Sequence, residues 1–296
     1  MKLEKHTRRV FDLDMAYVDV GSGDPILFLH GNPTSSFLWR GIIPHVVSLG
    51  RCIAPDLIGM GDSAKLPGSG PDAYRFVQHR RYLDELLRLL GVDERVTLVL
   101  HDWGAALGFD WAVRHPHSVA GLAYMEAIVT TLTWGDWPEV ARGAFRGMRS
   151  ETGEEMVLRK NFFVERILPA SIMRDLTEDE MDEYRRPFLR PGEDRRPTLT
   201  WPRQIPIEGR PADVQAIVES YSLRLAGWEV PKLFVNADPG SILVGRPREV
   251  CRSWPNQTEV TVPGIHFVQE DSPDPIGEAL AGWLAARATD DPVRHR

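Results

Sequence analysis

The stretch that decides the fold runs from residue 96 to residue 106 and reads VTLVLHDWGAA. Its first five residues are apolar or β-branched, which is typical of a buried strand, and the small residues from Gly104 onward favour the start of a helix. Asp102 stands at the junction. A sharp turn from strand to helix can expose a nucleophile at the edge of a sheet, so we predict this role for the Asp102 carboxylate.

The chemistry of a carboxylate nucleophile limits the reactions that Asp102 can serve. Attack on an acyl carbon would give a reactive anhydride, whereas attack on an sp³ carbon gives an ester that water can open. The residue therefore favours cleavage of a carbon–halogen bond or of an epoxide over hydrolysis of esters and peptides.

Composition excludes several classes of protein. The 296 residues are 43% hydrophobic and 26% charged, and no apolar run approaches the roughly 18 residues that span a bilayer. The net charge is −7 and the basic residues are dispersed, which argues against a nucleic-acid surface. The first residues are charged and do not resemble a signal peptide. We expect a cytoplasmic monomer that binds neither nucleic acid nor membrane.

The cysteines predict no metal centre. Cys52 and Cys251 are the only two, and their spacing fits neither a zinc site nor a disulfide framework. A halide is an adequate leaving group without assistance from a metal. We therefore expect neither a metal nor an organic cofactor.

Strand-like and helical segments alternate through most of the chain. The strand-like segments are 9–13, 15–20, 26–30, 52–55, 96–101, 119–126, 232–236 and 258–262, and the helical ones include 76–90, 105–114 and 276–286. Such alternation implies βαβ units. The predicted fold class is α/β, with a mostly parallel sheet flanked by helices.

The alternation breaks between residues 129 and 211. Amphipathic helical stretches dominate there, and six prolines lie near the end of the segment, at positions 187, 191, 197, 202, 206 and 211. We predict a helical cap domain over 129–211, inserted into a core domain that comprises 1–128 and 212–296.

Candidate site residues follow the predicted strands. Ligands of parallel sheets bind beyond the carboxyl ends of the strands, where Asn32, Asp102, Trp103, Glu126 and His266 all lie. We predict that His266, which follows a strand and a glycine turn, is the catalytic base.

The acid that orients His266 is ambiguous. Glu126 ends one predicted strand, and Asp238 follows the next. Either carboxylate could accept a hydrogen bond from the imidazole and stabilise its protonated form. Spacing along the chain leaves both candidates open.

Asn32 and Trp103 carry side-chain N–H donors next to the nucleophile. Neither is a useful base, but two converging neutral donors suit a departing halide. We predict that this pair binds halide.

Five motifs together resemble the haloalkane dehalogenases of the α/β-hydrolase superfamily. They are HGNPTSS at 30–36, DLIGMGDS at 56–63, HDWG at 101–104, YMEAI at 124–128 and GIHF at 264–267. The resemblance extends from about residue 8 to residue 286, and it is closest to the subfamily with an Asn–Trp halide pair. It implies an α/β-hydrolase fold and favours Glu126 over Asp238 as the acid.

The resemblance also implies a reaction and a pocket. A haloalkane and water would give an alcohol, a halide ion and a proton through a covalent alkyl ester of Asp102. The pocket should be apolar, because haloalkanes bind mainly by leaving water. Its predicted lining is Trp137, Phe145, Phe163, Ile205 and Leu243.

Three other functions remain alternatives. An epoxide hydrolase shares the HDWG pattern but relies on cap tyrosines, and the one tyrosine of this cap, Tyr184, lies in a charged stretch that predicts a solvated helix face. A cofactor-free oxygenase similar to coelenterazine luciferases is a second alternative. A non-catalytic ligand-binding protein of this fold is a third, since a fold alone does not dictate activity.

Overall fold

The computed structural model of the chain describes residues 3–289. Its centre is a single eight-stranded sheet. The strands are β1 (Lys5–Val10), β2 (Leu13–Val20), β3 (Pro25–Leu29), β4 (Arg51–Pro55), β5 (Val96–His101), β6 (Val119–Ala127), β7 (Lys232–Pro239) and β8 (Gln257–Gly264).

The strand order explains why several loops meet at one edge. Along the sheet the order is β1-β2-β4-β3-β5-β6-β7-β8. β2 is antiparallel to both β1 and β4, and the remaining neighbours are parallel. β5 therefore lies between β3 and β6, and the carboxyl ends of these three strands are adjacent.

The described part of the chain contains eleven α-helices. They are α1 (Ile43–Val46), α2 (Phe76–Leu89), α3 (Asp102–Arg114), α4 (Glu139–Met148), α5 (Leu168–Ala170), α6 (Glu178–Arg185), α7 (Arg196–Gln204), α8 (Ala212–Ala226), α9 (Gly245–Arg252), α10 (Val268–Asp271) and α11 (Pro273–Thr289). Short 3-10 helices span Ser36–Trp39, Arg186–Phe188 and Glu193–Arg195, and π-helical turns span Glu154–Arg159 and Phe163–Ile167.

Both faces of the sheet are covered, as the apolar strands require. Side chains alternate along β5: Leu98 and Leu100 join the apolar core beneath α2, α3 and α8, whereas Val99 joins the core beneath α1 and α11. The first of these cores continues into the cap. The structure confirms the predicted mostly parallel sheet with flanking helices.

The predicted cap segment, 129–211, carries α4 to α7. None of the eight strands lies in it. Its prolines fit the helices because Pro169, Pro187 and Pro197 occupy first turns, where the N–H that proline lacks has no helical acceptor. Pro202 instead lies inside α7. The domain boundaries at 129 and 211 stay a prediction.

The first strand was predicted wrongly at 9–13. β1 ends at Val10, and a turn at Phe11 and Asp12 leads into β2. Phe11 has a φ of 52° and is 46% exposed, so its apolar side chain does not mark a strand. Four of the six β1 residues are exposed at the edge of the sheet and are polar, and they give no apolar alternation. Within residues 3–289, no helix combines the length and the apolar character needed to cross a bilayer.

Candidate active site

Asp102 is the first residue of α3 and directly follows β5. Its φ of 50° lies in the left-handed region, which non-glycine residues adopt only when their surroundings enforce it. The turn is closely packed on both sides, against the backbone of β3 and against Gly31. A Cβ atom on Gly104 would lie 2.2 Å from the carbonyl oxygen of Leu29, and one on Gly31 would lie 2.2 Å from Asp102 Oδ2. A side chain at Gly31 or Gly104 would therefore clash with its neighbours, so both positions require glycine.

Backbone N–H groups hold the Asp102 carboxylate. The N–H of Asn32 donates to Oδ2 over 2.9 Å, and the N–H of Trp103 also donates to this carboxylate. Burial raises the pKa of Asp102 above its usual value, and the charge of His266 and the two backbone donors offset only part of that effect. The carboxylate is thus poorly solvated, which favours a reactive nucleophile.

The loop that carries Asn32 is held by a buried histidine. His30 Nδ1–H donates to the carbonyl oxygen of Gly31 over 2.9 Å, and His30 Nε2 accepts from the N–H of Leu57 over 2.9 Å. Burial lowers the pKa of His30 to about 4. A neutral ring with one donor and one acceptor matches these two partners.

His266 follows β8 and lies between two carboxylates. Its Nε2 is 3.8 Å from Asp102 Oδ1, and its Nδ1 is 3.2 Å from Glu126 Oε2. Burial lowers the pKa of His266, but the hydrogen bond with Glu126 and the charges of both carboxylates outweigh burial and raise the pKa overall. The two ring nitrogens can therefore serve different tasks, one toward the ester and one toward the acid.

Glu126 lies near the end of β6, and its side chain is fully buried. Three backbone N–H groups of the loop after β7 donate to its carboxylate, from Ser241 over 3.1 Å, Ile242 over 2.8 Å and Leu243 over 3.4 Å. These donors satisfy a buried negative charge and fix its orientation.

Asp238 occupies a different place. It is exposed near the end of β7, where it pairs with Pro263 of β8. Glu126, and not Asp238, therefore lies within reach of His266 Nδ1.

Helix α7 supports both predicted halide donors. Asn32 Nδ2 donates to the carbonyl oxygen of Thr198 over 3.4 Å, and the Trp201 ring stacks on Trp103 with centroids 4.4 Å apart. In a regular helix the Thr198 carbonyl would accept from the N–H of residue 202, but Pro202 has none. Proline thus leaves this carbonyl free for Asn32. This contribution of α7 to the halide pair was not predicted from the sequence.

The predicted pocket-lining residues share one apolar cluster. Trp137, Phe145, Phe163, Ile205 and Leu243 are all buried, and they belong to the same cluster as Trp103. The Trp137 and Phe145 rings lie 4.6 Å apart, and those of Phe145 and Phe163 lie 6.0 Å apart. Their role in lining a substrate cavity stays a prediction.

The prediction that Tyr184 lies on a solvated helix face is wrong. Tyr184 is only 2% exposed, and its hydroxyl donates to Glu270. The charged neighbours of α6 face outward, while Met181 and Tyr184, one helical turn apart, face inward. The hydroxyl of Tyr221 donates to the carbonyl oxygen of Ile128 over 2.5 Å. Tyr184, and Tyr221 just beyond the predicted cap, both direct their hydroxyls to other partners and are therefore not placed to protonate an alkoxide.

The fold and the site define a class of protein. A mostly parallel sheet with a nucleophile at the turn from β5 to α3 and a histidine after the last strand is the arrangement of the α/β-hydrolases. Residues 24–273 match the family described as alpha/beta hydrolase fold.

Similar proteins identify the family to which the chain belongs within the α/β-hydrolases. The chain is 60% identical over 270 residues to a haloalkane dehalogenase of Sphingobium indicum, covering 91% of each chain. It is 56% identical to a haloalkane dehalogenase of Mycolicibacterium smegmatis, covering 91% of this chain and 87% of that one. The crystal structure of haloalkane dehalogenase DbeA from Bradyrhizobium elkani superimposes with a TM-score of 0.93 at 42% identity, over 98% of this chain and 100% of that one. The chain belongs to the haloalkane dehalogenase family, which confirms the resemblance of the motifs.

Proposed function

We propose that this protein hydrolyses haloalkanes to an alcohol, a halide ion and a proton through an alkyl ester of Asp102. The observation that carries the proposal is the placement of a buried carboxylate with a histidine nitrogen 3.8 Å from its Oδ1 and a backbone donor on its Oδ2. The names of the relatives support the same reaction.

In the first half-reaction, Asp102 Oδ1 attacks the carbon that bears the halogen. The carbon–halogen bond breaks as the new carbon–oxygen bond forms, and the halogen leaves with the electron pair. Asn32 Nδ2 has a second N–H beside the one directed at Thr198, and Trp103 supplies its indole N–H. These two donors stabilise the charge that develops on the leaving halide, by a few kcal/mol in total in a site with little water.

In the second half-reaction, His266 Nε2 takes a proton from water, and the resulting hydroxide attacks Cγ of Asp102. The N–H of Asn32, which donates to Oδ2 in the free enzyme, and the N–H of Trp103 stabilise the oxyanion of the tetrahedral intermediate. The bond between Cγ and Oδ1 then breaks as the His266 imidazolium returns its proton to Oδ1, which releases the alcohol. The regenerated carboxyl group keeps one oxygen of the water and loses its proton to solvent.

Glu126 acts on His266 Nδ1. Its three backbone donors keep the carboxylate fixed, so it orients the ring and stabilises the imidazolium between the two proton transfers.

The substrate class follows from the apolar surroundings of Trp103. A small halogenated alkane gains affinity mainly by transferring apolar surface out of water, and the aromatic side chains of Trp137, Phe145 and Phe163 supply a matching environment.

One chain is sufficient for this reaction. All five proposed site residues lie within one chain, so the proposed reaction needs no residue from a second copy, and a halide can leave without help from a cofactor. Cys52 and Cys251 are buried free thiols, which suits the reducing cytoplasm. Size-exclusion chromatography with light scattering tests the monomer.

The variant His266→Ala separates the two half-reactions. It should still be alkylated but fail to hydrolyse the ester, so mass spectrometry after addition of 1-bromobutane should show a persistent butyl adduct on Asp102. The control is His117→Ala at an exposed position, which should turn over and show no persistent adduct. A folded His266→Ala variant that never forms the adduct would refute the covalent scheme.

A further inference from the structure

Glu270 is a buried carboxylate close to the site that no step of the reaction uses. It belongs to α10, four residues after His266, and its side chain is 1% exposed. Its carboxylate accepts hydrogen bonds from Arg40, Arg174 and Tyr184. A buried charge with this many partners is costly unless all of them are in place.

The partners of Glu270 come from two other parts of the chain. Arg40 ends the 3-10 helix that follows the Asn32 loop, and it reaches both carboxylate oxygens over 2.7 Å. Arg174 and Tyr184 come from the predicted cap, and Arg174 reaches Glu270 Oε2 over 2.5 Å. One carboxylate thus connects the His266 loop, the Asn32 loop and the cap.

A second carboxylate balances the cluster. Glu180 Oε1 accepts a hydrogen bond from Arg40 over 2.7 Å. The Glu180 carboxylate also accepts hydrogen bonds from both terminal nitrogens of Arg174, each over 2.8 Å. Two carboxylates therefore face two guanidinium groups. Their charges cancel only while the three chain segments are together.

The backbone of the His266 loop is held at the same place. The carbonyl oxygen of Ser171 accepts from the N–H of His266 over 3.0 Å, and Arg174 Nε donates to the carbonyl oxygen of Glu270 over 2.7 Å. The carboxylate of Asp271 accepts from the N–H groups of Met173 over 2.7 Å and Ile265 over 3.2 Å. The position of the imidazole is therefore set from the cap as well as from β8.

We infer that Glu270 is a positioning residue for the hydrolytic half-reaction: it holds the His266 loop against Arg40 and the cap so that His266 Nε2 meets the water and the Asp102 ester. This inference rests on the proposed two-step function. Alkylation depends on Asp102, Asn32 and Trp103, whose direct contacts with one another, with Thr198 and with Trp201 do not include Glu270. Loss of Glu270 should accordingly slow hydrolysis far more than alkylation.

The test uses Glu270→Gln, which keeps the shape of the side chain and removes its charge. Rapid-quench experiments with 1-bromobutane give the alkylation rate from the first bromide released, and the hydrolysis rate from the decay of the adduct mass. Since misplacement of a catalytic group by about 1 Å can cost on the order of 100-fold, we expect hydrolysis to fall about 10- to 100-fold. Alkylation should stay within about threefold, and the adduct should accumulate during turnover.

The matched control is Asp110→Asn. Asp110 is another buried carboxylate with two arginine partners, Arg114 at 2.8 Å and Arg80 at 3.6 Å, but it contacts none of the site loops. The alkylation rate and the hydrolysis rate of Asp110→Asn should both equal those of the parent. The burst amplitude counts the folded sites separately, so partial unfolding changes the amplitude and leaves the rate constants unchanged.

A folded Glu270→Gln variant whose two rates fall equally, or do not fall, would overturn the inference. If Glu270→Gln does not fold, Arg174→Ala tests the inference instead. In that variant Arg40 still pairs with Glu270, but the direct link between Glu270 and Arg174 is lost. The ratio of the hydrolysis rate to the alkylation rate must then fall as well. Failure of the two-step function itself would show separately, as a folded His266→Ala variant without adduct.

Discussion

At the scale of single residues, the two acidic members of the site share an unusual backbone conformation. Asp102 has a φ of 50° and Glu126 a φ of 40°, and they lie at the ends of the neighbouring strands β5 and β6. Such conformations cost about 1–3 kcal/mol each and persist only when the surrounding structure enforces them. The same turns direct both carboxylates toward His266, so the strain is tied to the geometry of catalysis.

The assignment of the acid gives a prediction at this scale. Glu126→Gln should lower kcat for bromide release by about 100-fold or more, because an amide neither stabilises the imidazolium nor suits three backbone donors. Asp238→Asn, at an exposed position, should stay within about twofold of the parent. Steady-state halide release measures both, and the opposite ranking would transfer the role to Asp238.

The same residues show what the sequence could not decide. Asn32, Asp102, Trp103, Glu126 and His266 were predicted to meet because parallel strands place their carboxyl ends at one edge, and the structure brings these residues together. Position along the chain did not separate Glu126 from Asp238. The difference depends on backbone donors of a loop more than 110 residues from Glu126 in sequence, which no local pattern reveals.

At the scale of elements, α7 is a support for leaving-group binding. Its Thr198 carbonyl holds the amide of Asn32, and its Trp201 ring lies between the rings of Trp103 and His79, at centroid distances of 4.4 and 4.2 Å. A single short helix thus constrains both proposed halide donors.

Pro202→Ala tests this support. The new N–H should bond to the Thr198 carbonyl inside the helix, which takes the acceptor from Asn32. Bromide affinity, measured by quenching of tryptophan fluorescence, should fall about two- to tenfold, the equivalent of about 0.5–1.5 kcal/mol for one hydrogen bond.

Pro197→Ala is the matched control for this helix. Pro197 lies in the first turn, where an added N–H has no helical acceptor, so bromide affinity should not change. Equal bromide affinity in Pro202→Ala and the parent would contradict the role given to Thr198.

Elements were predicted from sequence where burial imposes a pattern. The buried strands β3 to β7 are apolar and were found within a few residues of their limits. β1 was misplaced because an exposed edge strand needs no apolar face. The orientation of Tyr184 was missed because only two positions of the charged helix α6 are buried.

At the scale of the whole molecule, the two faces of the sheet pack against different parts of the chain. The core beneath α2, α3 and α8 continues through Trp103 into the cap, whereas the core beneath α1 and α11 does not include the cap. Although this second core includes Val268 of α10, it contains no residue of the cap, and packing on it should therefore affect stability more than activity.

Ile276→Ala tests this separation. Ile276 is fully buried on α11, and its truncation should lower the free energy of unfolding by about 2–5 kcal/mol, measured by denaturant titration. kcat at 25 °C should stay within about twofold. Leu284→Ala, on the same helix but only partly buried, should cost less. A large fall in kcat at full folding would show that the faces are coupled.

The support given by α7 also matters for chimeric enzymes. α7 lies within 129–211, whereas Asn32 and Trp103 lie outside it. A chimera that receives this segment from another family member would keep its own nucleophile and base but inherit the donor's scaffold for the leaving group. Selectivity among chloride, bromide and iodide should then follow the parent of the transplanted segment.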